Sequence, residues 1–454
     1  MSDSHRLLFA VDSGQLAIVK NLLKKTSTNI NYQDKDYRDT ALMTAARNGH
    51  ESILEYLIEK GADVSLPDKN CCSALMHAAY GGHKTIVKHL VEKGADVNHQ
   101  QKDGATALMM AAKNGHESIV RFLILQDADI NHQDKAGTTA LMIAALHGHK
   151  ATVTHLLGKN ADIYHQDIQG WTALTSAVAN GHKQIATQLI AKGARINDQD
   201  KKGWTALMVA AQNGHTAIVK YFIEKGGDIN YQSKDGATAL TMAAKNGHTS
   251  IVTQLIAKGA KINQEVEVVL QEVDIDHQKD DSWTALICAA HNGHETIVKH
   301  LIEKEADIDY QSKFGWTALI CAAWQGHKTI VTQLIDKGAN IDLYCKNGVT
   351  ALMLAASGGH DAIVTHLIAK GAEINRQDEN GQTALILAAE SGHETTVEHL
   401  SNMGADHNLK TKDGETAATL ASRHGHKNIV KYFNECPMNP IEEFYKEMKK
   451  KSCL

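Results

Sequence analysis

The chain has 454 residues, of which 22% are charged and 43% hydrophobic, with a formal net charge of −5. These proportions are ordinary for a folded soluble protein, and the weak acidity excludes the broad basic field that draws nucleic acid or anionic lipid. Aromatics make up 5% and there are only 3 prolines, so burial has to rest on Leu, Ile, Val and Ala. Length at roughly 100–200 residues per domain predicts two to four globules, an expectation that internal repetition overrides. Met1 to Val19 has no basic leader followed by an apolar stretch, and no run of about 18 apolar residues occurs. Neither a secretory signal nor a membrane span is therefore expected. The 7 cysteines are odd in number and form no C-x-x-C pair, which predicts a reducing, cytoplasmic setting rather than a disulfide framework or zinc site.

In chain order, the first predicted element is a helix carrying Leu7 and Leu8, with Ser2, Asp3 and Ser4 offering an N-cap. A repeat then takes over. Gly-His recurs from Gly49-His50 to Gly425-His426, always 33 residues apart except for one step of 46 between Gly247 and Gly293. Twelve repeats are clear, and an atypical thirteenth with Gly14-Gln15 precedes them. In each, a Thr such as Thr205 caps a short helix, a turn such as Asn213-Gly214-His215 ends it, and a second helix carries Ile218, Val219, Phe222 and Ile223 on one side. Gly226 ends that helix, and an extended-and-turn segment leads through Gly236 into the next repeat. Helices this short are not stable alone, so neighbours have to stack into one continuous core.

The pattern D-x-x-G-x-T-A-L-x-x-A-A-x-x-G-H-x-x-I-V-x-x-L-I-x-K-G-A-D-I-N, read from about Asp3 to Asn434, resembles the ankyrin repeat. The resemblance implies an all-α repeat: a curved ankyrin solenoid of stacked helix-turn-helix units with β-turn fingers. It also implies a binding function, usually toward proteins, on the concave surface. The array is expected to fill residues 1–436, with a 13-residue insertion near 264–276 held as an extended finger. Residues 437–454 are expected to form a capping helix and short tail, with Asn439 as N-cap, Pro440 at the first helical position and Ile441, Phe444, Tyr445 and Met448 on one face. The sequence departs from the family in having Thr-Ala-Leu for Thr-Pro-Leu, as at Thr106-Ala107-Leu108, and an apolar residue for the following His, as at Met109, Ile287 and Ile320. Cys71, Cys72 and Ser73 replace Gly-x-Thr in one repeat, which predicts a less regular finger there.

Catalytic chemistry is not expected. His294-Glu295 with His300, and His393-Glu394 with His399, place the second His six positions on. At about 100° per residue the imidazoles diverge and cannot share a metal. There is no phosphate-cradling loop and no nucleophile with a nearby base, so no catalytic residue, metal or cofactor is assigned. Cys288 and Cys321 occupy a first-helix slot that Val209 and Leu354 fill elsewhere, which reads as core.

Function is expected at the positions the framework leaves free. The residue between the finger Gly and the Thr is one. Trp171, Trp204, Trp283 and Trp316 stand there, and the fifth Trp, Trp324, lies two residues before Gly326. Tryptophan is enriched at binding hot spots. Trp283, His291, Phe314, Trp316 and Trp324 are therefore assigned to one protein-binding patch, and Trp171 with Trp204 to a smaller one; the alternative is that the indoles only stack along the fingers and brace neighbouring repeats. Asn98, Asn131, Asn230 and Asn375 end L-x-x-x-x-x-D-V-N-like stretches and are similar to the sites of the asparaginyl hydroxylase that modifies ankyrin repeats. The expected protein is a monomeric, non-enzymatic scaffold binding a protein, not nucleic acid. Arrays of this simplicity also resemble effectors that intracellular bacteria deliver to host cytoplasm, with Glu442, Glu443 and Glu447 as the translocation-like cluster. The alternatives are an endogenous eukaryotic adaptor and, from a different class, an enzyme with a cryptic site in the tail or insertion.

Overall fold

A computed structural model describes residues 2–268 and 281–435. Among these, 26 helices follow one another in pairs, and the only strands form a short two-stranded ribbon. The chain is an all-α repeat solenoid. It divides into two compact units, Met1–Asp228 and Ile229–Leu454, each taken here by itself. The segment proposed for capping after residue 436, and most of the insertion, lie outside the described residues.

The repeat ending near Asn230 shows why this sequence folds as it does. Thr205 takes extended backbone and its hydroxyl accepts from Met208 N at 3.4 Å, which starts helix Ala206–Gln212. Leu207, Met208, Ala210 and Ala211 are all buried. The paired alanines let first helices approach each other closely, and within each unit first helices meet more tightly than second helices do. Gly214 turns the chain at φ 74°. Helix Thr216–Glu224 then buries Ile218, Val219 and Phe222 and leaves Ile223 half-buried.

The Gly-His dipeptide links repeats. His215 sits at the start of the second helix but does not cap it. Its Nε2–H donates to Ala179 O of the preceding repeat at 3.2 Å; the carbonyl can only accept, which fixes that tautomer. The ring lies over Gly181, where an added Cβ would meet it at 2.8 Å. The arrangement recurs, for example His149 on Lys113 O at 2.8 Å and His360 on Trp324 O at 3.0 Å. Glycine is required there both for its left-handed backbone and for the space the next imidazole takes.

One departure from expectation stands out. The finger with Cys71 keeps the regular hydrogen bonds: Asp68 N donates to Cys72 O at 2.9 Å and Cys71 N to Asp68 O at 3.0 Å. Cys71 simply adopts φ 62° in the glycine position, and Ser73 caps the next helix by accepting from Met76 N. In the insertion, Val266–Val268 pairs antiparallel with Asp281–Trp283, with Val266 opposite Trp283. This is a ribbon flanking the segment from 269 to 280, which itself lies outside the described residues.

Candidate protein-binding face

Each finger presents its variable residue from a fixed loop. Asp200 Oδ1 accepts from Trp204 N at 2.8 Å and Asp200 N donates to Trp204 O at 2.9 Å. Asp167 holds Trp171 in the same way, at 2.8 and 2.9 Å. At Trp316 a serine does this work, Ser312 Oγ accepting from Trp316 N at 3.0 Å. Adjacent fingers lie close: Lys201 N donates to Gln169 O at 2.8 Å, and a Cβ on Gly170 would come within 2.8 Å of the Asp200 backbone.

The variable residue meets the side chain eight positions later, at the end of the first helix of its own repeat. Asp39 pairs with Arg47, Oδ2 to Nη2 at 2.6 Å. The Trp283 ring lies 5.0 Å from His291 and the Trp316 ring 5.4 Å from Trp324. Gln382 donates to Glu390 at 3.1 Å, and Arg423 bonds Glu415. One spacing thus carries ionic, amide and aromatic pairs.

In the unit from Ile229, two of these pairs join. His291 lies 5.7 Å from Trp324, centroid to centroid, so Trp283, His291, Trp324 and Trp316 form a continuous run of four rings. The sequence reading grouped these residues as a contact patch, and the structure brings them together. It places them at different depths, however. Trp283 and Trp316 are each only 2% exposed, because each indole turns back onto the residue eight positions later. Trp324 and His291 are half-buried. Phe314, also half-buried, stands in the finger turn with Lys346 Nζ 4.7 Å above its ring.

In the unit Met1–Asp228, Trp171 and Trp204 are half-buried and line an open groove of about 560 Å³ with Asp167, Asp200, Lys202 and Val209. The finger asparagines lie elsewhere in each repeat and bridge to the next one. Asn98 Oδ1 accepts from Asp129 N, Asn131 Oδ1 from Asp162 N, Asn230 Oδ1 from Lys261 N and Asn375 Oδ1 from Asp406 N, at 2.8–2.9 Å.

The first histidine of each protease-like stretch is used structurally: His294 donates to Lys245 O at 3.0 Å and His393 to Ser357 O at 2.8 Å. Cys288 is 1% exposed and Cys321 fully buried, and burial pushes the Cys288 thiol up to about 12. Sequence reasoning did not pick out the polar cluster of Asp39, Arg47, Asp68 and His77. His77 Nε2 lies 3.1 Å from Asp68 Oδ2. Burial, and next the Arg47 charge, hold its imidazole below the usual histidine range despite that carboxylate. The signal available was the charged residue at position 39 matched by one at position 47.

Comparison with known proteins decides the family. The family model for ankyrin repeats in sets of three copies matches residues 7–101, 75–167, 108–200, 174–266, 264–345 and 329–411. The chain belongs to the ankyrin-repeat family. It is 42% identical over 64 residues to ankyrin repeat and SAM domain-containing protein 6 of Rattus norvegicus, covering 14% of this chain and 7% of that protein. Over 61 residues it is 41% identical to ankyrin repeat domain-containing protein 49 of Bos taurus and of Homo sapiens, covering 13% of this chain and 25% of each relative. The matched stretches therefore span a quarter or less of those relatives. Ankyrin repeats generally mediate protein–protein interaction and are typically non-enzymatic. Among the described residues no helix is long and apolar enough to cross a membrane.

Proposed function

We propose that this ankyrin protein is a non-enzymatic scaffold that captures a protein partner on its concave face and fingers, with the four-ring run as the principal contact. One observation supports this most: Trp324 and His291 stay half-buried while the nearly fully buried Trp283 and Trp316 pack against them. A rigid aromatic edge loses little entropy on binding, which is what a hot spot requires. The groove of Trp171 and Trp204 serves as a second, smaller contact, and Phe314 extends the main one along its finger. The scaffold acts as a monomer in a cytoplasm and does not bind nucleic acid. The odd number of cysteines and the lack of a C-x-x-C pair in the sequence support such a reducing setting.

The test is affinity capture from a cell lysate with the full chain, followed by titration of the captured protein. Trp324→Ala is expected to weaken binding by about 30-fold or more, the equivalent of a hot spot of about 2 kcal/mol, with unchanged helical content. Equal affinity for wild type and Trp324→Ala overturns the assignment. The effector reading, acting in host cytoplasm, rests on Glu442, Glu443 and Glu447. It is tested by a translocation reporter fused to the chain with these three glutamates changed to Gln. Hydroxylation at Asn98, Asn131, Asn230 or Asn375 is tested by incubation with the ankyrin-directed asparaginyl hydroxylase and a search for the mass of one added oxygen.

A further inference from the structure

Two successive fingers of the unit Met1–Asp228 converge on one small polar centre. Asp39 ends the finger that leads into helix Ala41–Asn48. Asp68 begins the next finger, and His77 lies in the first turn of helix Ala74–Gly81. One ligand atom from each of Asp39, Asp68 and His77 lies within 4.8 Å of the other two. Asp68 is held rigidly: its Oδ1 accepts from Asn70 N and Cys72 N, both at 2.8 Å, while Oδ2 faces His77 Nε2 at 3.1 Å. Asp39 Oδ2 accepts from Arg47 at 2.6 Å. Asp39 Oδ1 is buried with no hydrogen-bond partner, on a residue only 8% exposed. A buried carboxylate oxygen beside a second carboxylate, with no donor of its own, is a costly arrangement unless a cation occupies the space between them.

We propose that Asp39, Asp68 and His77 bind a divalent transition-metal cation, Zn²⁺ foremost, with the remaining coordination positions left to water. One imidazole with two carboxylates suits Zn²⁺ and its first-row neighbours better than Ca²⁺ or Mg²⁺, which take oxygen alone. Zinc–nitrogen and zinc–oxygen bonds of about 2.0–2.2 Å set ligand atoms about 3.4 Å apart, so Asp39 approaches while His77 Nε2 and Asp68 Oδ2, now 3.1 Å apart, open slightly. His77 ligates through the Nε2 lone pair, its proton then residing on Nδ1, so the neutral ring neither gains nor loses a proton. Arg47 is the resident counter-cation. Its side chain is 44% exposed and swings to solvent when the metal enters. The metal then clips one repeat to the next, since Asp39 belongs to one and Asp68 and His77 to the other.

The experiment uses the full, tag-free chain, titrated with Zn²⁺ by calorimetry and with Co²⁺ by its visible absorption, with thermal unfolding alongside. One tight ion per chain and a raised melting temperature are expected in the wild type. Asp39→Asn and His77→Gln are each expected to weaken that site at least about tenfold, and the Zn²⁺-dependent rise in melting temperature disappears with it. Arg47→Ala is expected to tighten it, because a competing charge is gone; a folding defect cannot produce that result. The protein has 27 histidines, so the variants decide. Unchanged affinity in both Asp39→Asn and His77→Gln, no measurable binding in the wild type, or weaker binding in Arg47→Ala overturns the proposal.

Discussion

The ring pairs Trp283–His291 and Trp316–Trp324 and the Asp39–Arg47 pair of the polar cluster occupy equivalent places in different repeats. Both are built on the same finger loop, the same Thr or Ser cap and the same spacing of eight residues. In one, the variable residues are indoles that become core. In the other, the variable Asp39 is a charge whose burial has to be balanced by Arg47. The framework fixes where the side chains meet, and their identity alone decides whether the meeting place is a hydrophobic brace or an electrostatic site. Ankyrin repeats are suited to this because their core rests on Leu, Ile, Val and Ala elsewhere in each helix pair.

The comparison breaks most visibly at Trp316. Removing its indole leaves a cavity in the second unit, and Trp316→Ala is expected to destabilise it by about 3–5 kcal/mol. Trp171→Ala in the first unit, where the ring is half-buried, should cost only about 1–2 kcal/mol by the area it keeps from water. Urea unfolding of the two variants measures the difference, and equal losses would show that the depth assigned to the two rings is wrong.

The polar counterpart should respond to charge rather than volume. A double-mutant cycle on Asp39→Asn and Arg47→Ala is expected to give a coupling of about 1 kcal/mol, discounted because Arg47 is partly exposed. Raising the salt concentration should shrink it, whereas the Trp316→Ala penalty should hardly change. A coupling that ignores salt would argue that packing, not charge, joins the pair.

The links between repeats should be indifferent to this contrast. His215→Ala and His360→Ala each delete one inter-repeat hydrogen bond and are expected to cost about 1 kcal/mol apiece, whichever unit they fall in. A large disparity between them would mean that the Gly-His link is not the shared device described here. The smallest effect concerns thiols. Burial pushes both Cys72, beside the polar cluster, and Cys288, beside the rings, up to about 12. At pH 8.5 well under about 1% of either is thiolate, so mass spectrometry should find both unmodified after brief iodoacetamide treatment of the native protein. Rapid labelling of Cys288 would place it outside the core.

Much of this was legible in the residues. The period of 33, the Thr cap, the positive-φ glycine and the apolar spacing of the second helix are local requirements, because a short helix must be capped, ended and buried whatever surrounds it. They determine the repeat solenoid and point to the position between Gly and Thr as the variable one. Tertiary structure decided the rest. Trp283 and Trp324 look alike as letters, yet one is core and the other only half-buried, since depth depends on which ring folds back and which is folded upon. Asp39 and His77 lie 38 positions apart, and no local rule joins them. They meet because stacking at a fixed register brings the finger of one repeat against the first helix of its neighbour.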